Sequence, residues 1–255
     1  MSNILAIAHK EVKAYFETPI AYIVIGMFSL LFGYFFATGL AAFAQQSMQM
    51  QSMGGAGTMN VNQMLIYPLF MNMSVVLLFI LPSITMRTYA EEKRSGTIEL
   101  LLTSPLTDGQ IILGKFFGAM TLYALILAVT AVHIGLLFVF GNPEAMPILT
   151  TYLGLLLMGG CFVSVGLLIS SLTKNQIVAM VVTFGVFLLL WVIEWFAQFV
   201  GQPAQDVLTY LSITGHLEEF TRGILDTKHL VYYVSFIAFG LFLTARAVET
   251  ARWQG

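Results

Sequence analysis

Charged residues are scarce in this chain of 255 residues, where Asp, Glu, Lys and Arg together make up 9%. An average soluble domain contains about 25%. No Lys or Arg lies between Lys13 and Arg87, between Lys115 and Lys174, or between Lys174 and Arg222. With 58% hydrophobic residues, this composition excludes an ordinary soluble domain. The formal net charge of -2 gives no indication of nucleic acid as a partner.

Cysteine is almost absent as well, since Cys161 is the only one. A single thiol excludes an internal disulfide and any Cys-x-x-Cys metal motif. The four histidines form no His-Glu-x-x-His motif and no pair at metal-ligand spacing. They are His9, His133, His216 and His229. The sequence therefore predicts no catalytic, cofactor or metal site in this chain.

One segment resembles a phosphate-binding loop but lacks part of the motif. Gly109, Gly114 and Lys115 match the start of that motif, but Phe116 stands where Ser or Thr would hold magnesium. The motif also needs a preceding strand, and the intervening residues, Gln110 to Leu113, are mostly apolar. We therefore predict no nucleotide site here, and the chain is not expected to be an enzyme.

The charge-poor intervals contain six apolar stretches long enough to cross a lipid bilayer. A helix rises about 1.5 Å per residue, so a hydrocarbon core of about 30 Å needs about 20 apolar residues. The predicted spans are Ile20–Ala44, Leu65–Met86, Ile112–Phe140, Ile148–Leu172, Ile177–Phe199 and Leu230–Ala247. All six are predicted to be helices because open strands would leave backbone groups unpaired in lipid.

The predicted fold class is an all-α integral membrane protein with a single domain over residues 1–255. Residues 1–19 form an interfacial helix, 20–247 the six-span bundle, and 248–255 a cytoplasmic tail. The distribution of Lys and Arg predicts that both termini are cytoplasmic. Nine basic residues then face the cytosol: Lys10, Lys13, Arg87, Lys93, Arg94, Lys115, Lys174, Arg246 and Arg252. Only Arg222 and Lys228 lie outside.

The segment before the first span has the pattern of an amphipathic helix. One predicted face is apolar, with Leu5, Ala8, Val12, Tyr15 and Phe16. Lys10 and Lys13 lie on the polar face, and Pro19 ends the pattern. Such a helix is predicted to lie in the membrane interface with its basic face in the cytosol. A cytosolic segment without a docking role is the alternative.

The loop between the second and third spans concentrates charge next to a short apolar helix. The second span is predicted to continue as a helix through Arg94, until Gly96 ends it in a left-handed cap. Thr97 then caps a short helix that Pro105 stops. A capping box formed by Thr107 and Gln110 starts the third span. An exposed apolar helix on a charged stalk indicates a protein partner, although folding back onto the bundle stays open.

This loop resembles the cytoplasmic signature of ABC-2 type transporter permeases. The resemblance lies in Glu91-Glu92-x-Arg94-x-Gly96-Thr97-Ile98-Glu99-Leu100-Leu101, followed by Pro105 and Gly114-Lys115. The segment Leu211-Ser212, His216 and Phe220-x-Arg222-Gly223-Ile224-Leu225-Asp226 resembles the stretch before the last span in the gliding-motility (Gld-type) branch. The resemblance covers the whole chain, and it identifies no substrate.

The resemblance implies a bacterial inner-membrane permease that couples ATP hydrolysis by a separate ATPase subunit to movement of a substrate, with export as the expected direction. Two copies of an ABC ATPase would bind ATP and Mg, and a second permease subunit would complete the unit. An accessory membrane or periplasmic protein is a further partner that it allows. The charged loop would be the coupling helix. The residues carried over for ATPase docking are Glu91, Glu92, Arg94, Thr97, Glu99 and Leu101, with Lys10 and Lys13 on the first helix.

The outer side offers candidates for a translocation path or outer gate, namely Glu194, His216, Phe220 and Arg222. Glu194 lies between Trp191 and Trp195, so an interfacial carboxylate is its alternative role. His133 lies within a span, where it could be functional or simply bonded to a backbone carbonyl. Met48, Met50 and Met53 in the outer loop could offer thioethers to Cu(I) or belong to a flexible loop.

A second function stays open beside transport. The same ATPase could do mechanical work on a partner protein through this chain, which would then act as a membrane anchor or mechanotransmission subunit and move no solute. The small residues at Gly33-x-x-x-Ala37, Gly114-x-x-x-Gly118, Gly160-x-x-x-Ser164 and Gly166-x-x-x-Ser170 could serve helix packing within the chain, dimerisation or both.

Overall fold

The computed structural model describes residues 3–53, 60–197 and 199–253, and within them it omits the side chains of Leu101, Leu102 and residues 251–253. The described residues form helices and no β-strand. The helices are α1 Asn3–Glu17, α2 Ile20–Ser52, α3 Tyr67–Thr85, α4 Ala90–Ser95, α5 Ile98–Leu102, α6 Asp108–Phe140, α7 Ala145–Leu172, α8 Gln176–Ala197, α9 Ala204–Leu211, α10 Ile213–Thr221 and α11 Thr227–Trp253. A π-helical turn at Asn62–Ile66 precedes α3.

Six helices in the described residues are long and apolar enough to cross a membrane. These are α2, α3 with its flanking turns, α6, α7, α8 and α11, so the all-α membrane fold is confirmed. The largest extensions beyond the predicted spans are at the ends of α2, which continues to Ser52, and of α11, which continues to Trp253. Gln and Met, which follow Ala44 in α2, are good helix formers, so the end of the continuous apolar run does not end that helix.

The centre of the bundle is α7, whose most apolar window is 72% buried, against 28% for α2 and 17% for α8. Small residues let its neighbours approach closely. A Cβ on Gly159 would lie 2.0 Å from the Tyr123 ring of α6, and one on Gly240 of α11 would lie 2.5 Å from Ser164 Oγ. These contacts assign part of the small-residue pattern to packing within the chain.

The first helix lies against α6 rather than apart from the bundle. Gly114 and Gly118 of α6 form the seat, since a Cβ at either position would lie 2.6 Å from Ile7 or Glu11 of α1. The buried face of α1 carries Ile7, Ala8 and Tyr15. The predicted face was therefore wrong in part: Leu5 is 57% exposed, because the groove on α6, and not the apolar pattern alone, sets the orientation of α1.

The second span extends as a helical segment past Arg94, to Ser95, but it is interrupted, which the sequence did not predict. The chain leaves the helix after Thr85, turns, and resumes at Ala90 as α4. Beyond the break, Gly96 has φ 76°, which confirms the left-handed end of α4. The capping box of Thr107 and Gln110 at the start of α6 is confirmed, whereas Thr97 makes no side-chain cap to α5.

At the other end of the bundle, α9 and α10 connect α8 to α11. Leu217 and Phe220 of α10 are fully buried, and the Thr150 hydroxyl of α7 donates to the Phe220 carbonyl at 2.6 Å. Nearby, the Asn62 side chain exchanges two hydrogen bonds with the backbone of Glu144, both at 2.9 Å. These contacts fasten α10 and the π-helical turn to the start of α7.

Candidate functional site

Two ends of the bundle carry the candidate residues. The basic end is the end formed by α1, α4 and α5, and the α10 end is the end formed by α9 and α10. At the basic end, α1 and α4 enclose a groove of about 360 Å³. Its lining includes Lys10, Glu11, Arg87, Glu91, Glu92 and Thr97. The predicted docking residues Lys10, Glu91, Glu92 and Thr97 are therefore brought together, although they come from two separate segments.

A buried ion cluster forms the floor of this groove. Lys115 of α6 is 1% exposed, and its Nζ lies 2.8 Å from Glu11 Oε1 and 2.9 Å from Glu92 Oε1. The same Nζ donates to the Thr88 carbonyl at 2.7 Å. Lys10 adds a weaker contact to Glu92 at 3.6 Å, with most of its side chain in solvent. One ammonium thus joins α1, α4 and α6.

Glu11 was not predicted as a docking residue, and Lys115 was predicted only as part of a motif. A signal for Glu11 was present, because it lies four residues after Ile7 and four before Tyr15, on the face that is buried. Positions four apart share one side of a helix. The contact with Lys115, 104 residues away, has no local signal.

The second oxygen of Glu92 distinguishes this carboxylate from the others. Glu92 Oε2 is buried and has no hydrogen-bond partner in the described part of the chain. A buried carboxylate oxygen normally accepts a hydrogen bond. Glu92 is thus both a lining residue of the groove and a carboxylate with one buried oxygen unpaired among the described residues.

The remaining predicted docking residues project from α4 and α5. Arg94 and Glu99 are exposed, and Leu100 is 73% exposed. The side chain of Leu101 lies outside the described residues. Lys13 does not join the groove: it is exposed and its Nζ lies 3.6 Å from Glu17 on its own helix. The basic end therefore presents a polar groove beside an exposed apolar residue on a short helix.

At the α10 end, Glu194 of α8 holds the start of α10. Its Oε2 accepts from the Ser212 hydroxyl at 2.9 Å and from the Thr214 hydroxyl at 3.1 Å. The Ser212 hydroxyl in turn accepts from the Gly215 backbone at 3.0 Å and caps α10. Glu194 thus has a clear positioning role, and it also lines a polar cavity of about 550 Å³ with His216.

Two histidines meet in that cavity. His216 Nε2 lies 2.9 Å from the Tyr210 carbonyl, so this nitrogen donates, and His216 Nδ1 faces His229 Nδ1 at 2.5 Å. The His216 ring stacks on Tyr232 with centroids 3.8 Å apart. The other predicted gate residues are near but separate: Phe220 is buried in the core, and Arg222 is 58% exposed, paired with Glu218 at 2.6 Å.

Burial lowers the pKa of His216 below its ordinary value of 6.5. The bond to the Tyr210 carbonyl raises it, the nearby His229 and Lys228 lower it, and Glu194 raises it slightly. Asp206 and Glu218 are the other charged groups in this cavity. Between the lowered pKa and about 6.5, the unfolded chain binds a proton that the folded chain does not. Stability should therefore fall as the pH drops below about 6.5.

This gives a testable pH dependence. The Tm of the purified protein should decrease between pH 7.5 and pH 5, and His216→Gln should make that decrease smaller because it removes the titrating ring. His9→Gln, an exposed position on α1, serves as the matched control and should retain the wild-type slope. Identical slopes for His216→Gln and the wild type would show that His216 is not the group responsible.

His133 and the outer-loop methionines form no site with each other or with further residues in the part of the chain that the structure describes. His133 of α6 packs against Phe32 and Phe36 of α2, with centroids 5.4 and 5.6 Å apart. Its Nδ1 is buried without a partner among the described residues. Met48 and Met50 are exposed on α2, two positions apart, where helical side chains do not face each other.

Comparison with known proteins bears on this arrangement. A family model described as "ABC-2 family transporter protein" matches residues 5–248. "Probable multidrug ABC transporter permease YbhR" of Escherichia coli strain K12 is 30% identical over 147 residues, covering 55% of this chain and 38% of that protein. The protein of the same name from Escherichia coli O157:H7 matches equally.

The aligned region spans less than half the length of these curated relatives. The family match, in contrast, covers nearly the whole chain, from α1 to α11, including the groove, the short helix α5 and both ends of the bundle. The gliding-motility branch stays a prediction. Six membrane-spanning helices together with this match identify the chain as a membrane-spanning permease of the ABC-2 family of transporter proteins.

Proposed function

We propose that this permease couples ATP hydrolysis by a separate ABC ATPase subunit to movement of a substrate across a bacterial inner membrane. The basic end would face the cytosol and receive the ATPase. The observation that carries this proposal is the exposed Leu100 beside the groove, because an apolar side chain held on a short polar stalk suits a pocket on a partner. The charged groove residues would set its orientation.

The working unit we propose contains two ATPase subunits, which bind ATP and Mg, and two permease subunits. ATP-driven closure of the ATPases would displace α4 and α5 and favour a second conformation of the bundle. The shift requires that the ATPases bind the two conformations with different affinity. The cavities at the α10 end would form the outer gate. Resemblance to the gliding-motility branch and the name of the multidrug relatives support export as the first direction to test.

The docking proposal is tested by a charge placed on the exposed leucine. Leu100→Asp should reduce the amount of ABC ATPase that copurifies in mild detergent by about tenfold or more, since loss of a buried anchor residue costs 2 kcal/mol or more and 1.4 kcal/mol is tenfold. Leu101→Asp on the same helix should act in the same direction. Val207→Asp makes the same chemical change at an exposed residue of α9 and should have no effect.

Retention of the ATPase by Leu100→Asp at the wild-type level would contradict this docking site. A second experiment distinguishes transport from the alternative function as a membrane anchor. If the intact complex turns over ATP in sealed vesicles and no solute or lipid crosses the bilayer for any compound in a broad panel, mechanical work on a partner protein replaces transport as the function.

A further inference from the structure

The second span is interrupted between α3, its membrane part, and α4, which we call the stalk. In an unbroken helix, the Ala90 N–H would donate to the Met86 carbonyl. Here α3 ends at Thr85 and α4 begins at Ala90, so this pair is separated. Sharp breaks of this kind arise where a side chain inserts into the backbone ladder. The groups that a break releases must be satisfied by other partners when they are buried.

Ser170 of α7 is the inserted side chain. Its hydroxyl accepts from the backbone N–H of Tyr89 and of Ala90, both at 3.0 Å. The same hydroxyl donates to the Met86 carbonyl, also at 3.0 Å. Ser170 is fully buried, so no solvent competes for these bonds. One side chain from a neighbouring helix therefore bridges the two backbone groups that the break has parted.

Two lysine side chains bond the stalk and the turn before it to α6 and α7. Lys115 of α6 donates to the Thr88 carbonyl at 2.7 Å, within the broken segment. Lys93 of α4 donates to the backbone carbonyl of Ser171, at the end of α7. The position of the stalk is thus held by α6 and α7 as well as by its covalent connection to α3.

A close approach of α7 to α3 makes the insertion of Ser170 possible. A Cβ on Gly166 would lie 2.2 Å from the Thr85 hydroxyl oxygen, at the last residue of α3. Gly166 and Ser170 are four positions apart and share one side of α7. This pair was recognised in the sequence only as a general packing motif, and the contacts give it a specific location at the break.

We propose that Ser170 is a positioning residue that transmits displacement of the stalk to α7. The break would act as a hinge whose polar backbone groups are held by the neighbouring helices, together with Lys115. Movement of α4 and α5 would then reach α6 and α7 through these lateral contacts, as well as travelling along α3. This inference rests on the proposed function, because it assumes that a docked ATPase moves the stalk.

The test uses hydrogen exchange on the full chain in lipid nanodiscs with its copurifying ABC ATPase, before and after trapping with MgATP and vanadate. Ser170→Ala removes the bridging hydroxyl. Ser171→Ala is the matched control, because Ser171 is equally buried but, among the described residues, its hydroxyl bonds its own helix, at the Leu168 carbonyl. Exchange at the amides of Tyr89 and Ala90 should rise about tenfold in Ser170→Ala, as expected for loss of buried hydrogen bonds.

ATPase retention should be equal in the wild type and both variants. Trapping should change exchange across α6 and α7 in the wild type and in Ser171→Ala. Ser170→Ala should reduce the change in α7, while the change in α6 persists because Lys115 still bonds the Thr88 carbonyl. A change in α7 of Ser170→Ala at the wild-type level, or no change in α7 of the ATPase-bound wild type, would overturn this inference alone. A wild-type chain that retains no ATPase would overturn the proposed function and this inference with it.

Discussion

Lys115→Met should destabilise the protein by about 3–5 kcal/mol, the usual cost of removing one partner from a buried ion pair. The substitution would remove the ammonium between Glu11 and Glu92, leaving Glu92 only the weaker contact with the exposed Lys10, and it would remove the donor to the Thr88 carbonyl. A large part of the loss comes from the two carboxylates left in a buried position. Thermal or denaturant unfolding in detergent, followed by tryptophan fluorescence, measures the effect.

Lys13→Met is the matched control for this experiment. It removes the same charge from an exposed lysine whose ion pair with Glu17 is a surface contact on its own helix. Such pairs contribute about 0.3–0.5 kcal/mol. The variant Lys115→Met/Glu92→Gln should recover part of the loss, because the two positions are coupled. Equal stability of Lys115→Met and Lys13→Met would show that the cluster does not hold the basic end together.

The second large effect is expected from Gly118→Leu, which should displace α1 from α6. A Cβ at this position lies 2.6 Å from Glu11 Cβ and 3.3 Å from the Ala8 carbonyl, so a larger side chain has no space while α1 is docked. Overpacking of this kind costs about 1–3 kcal/mol. Trypsin cleavage after Lys10 and Lys13 should become roughly 10-fold to 100-fold faster, at about 1.4 kcal/mol per tenfold.

Gly135→Leu provides the control on the same helix, because nothing lies within 4 Å of a Cβ at Gly135. It should leave tryptic cleavage of α1 unchanged. Gly118→Leu should also lower the amount of retained ATPase, since one side of the groove would be lost. If trypsin cleaves α1 in Gly118→Leu as slowly as in the wild type, the contact with α6 at Gly118 does not determine the position of α1.

The membrane spans could be predicted because hydrophobicity and helix length are local properties of the sequence. The same is true of two helix ends: Gly96 adopts the left-handed conformation that glycine favours, and Thr107 and Gln110 form their predicted capping box. The extension of α2 to Ser52 was not predicted, because a polar segment past the bilayer can stay helical while its hydrophobicity ends.

The candidate site was predicted less completely, because its geometry depends on contacts between distant segments. Glu92 was identified from the motif, but its partners Glu11 and Lys115 come from α1 and α6. The interruption of the second span was missed because its cause, Ser170, lies on another helix. Residues at the break carry no Gly or Pro that would mark it locally, and the nearest proline, Pro82, lies inside α3.

We propose that the basic end of this permease binds the ATPase, and a photo-cross-linker at Leu100 in the intact complex measures this most directly. Benzoylphenylalanine at position 100 should give an adduct with a protein that binds an ATP analogue, while the same probe at Phe140, 86% exposed at the far end of α6, should give none. A nucleotide-binding adduct from position 140, and none from position 100, would contradict the account.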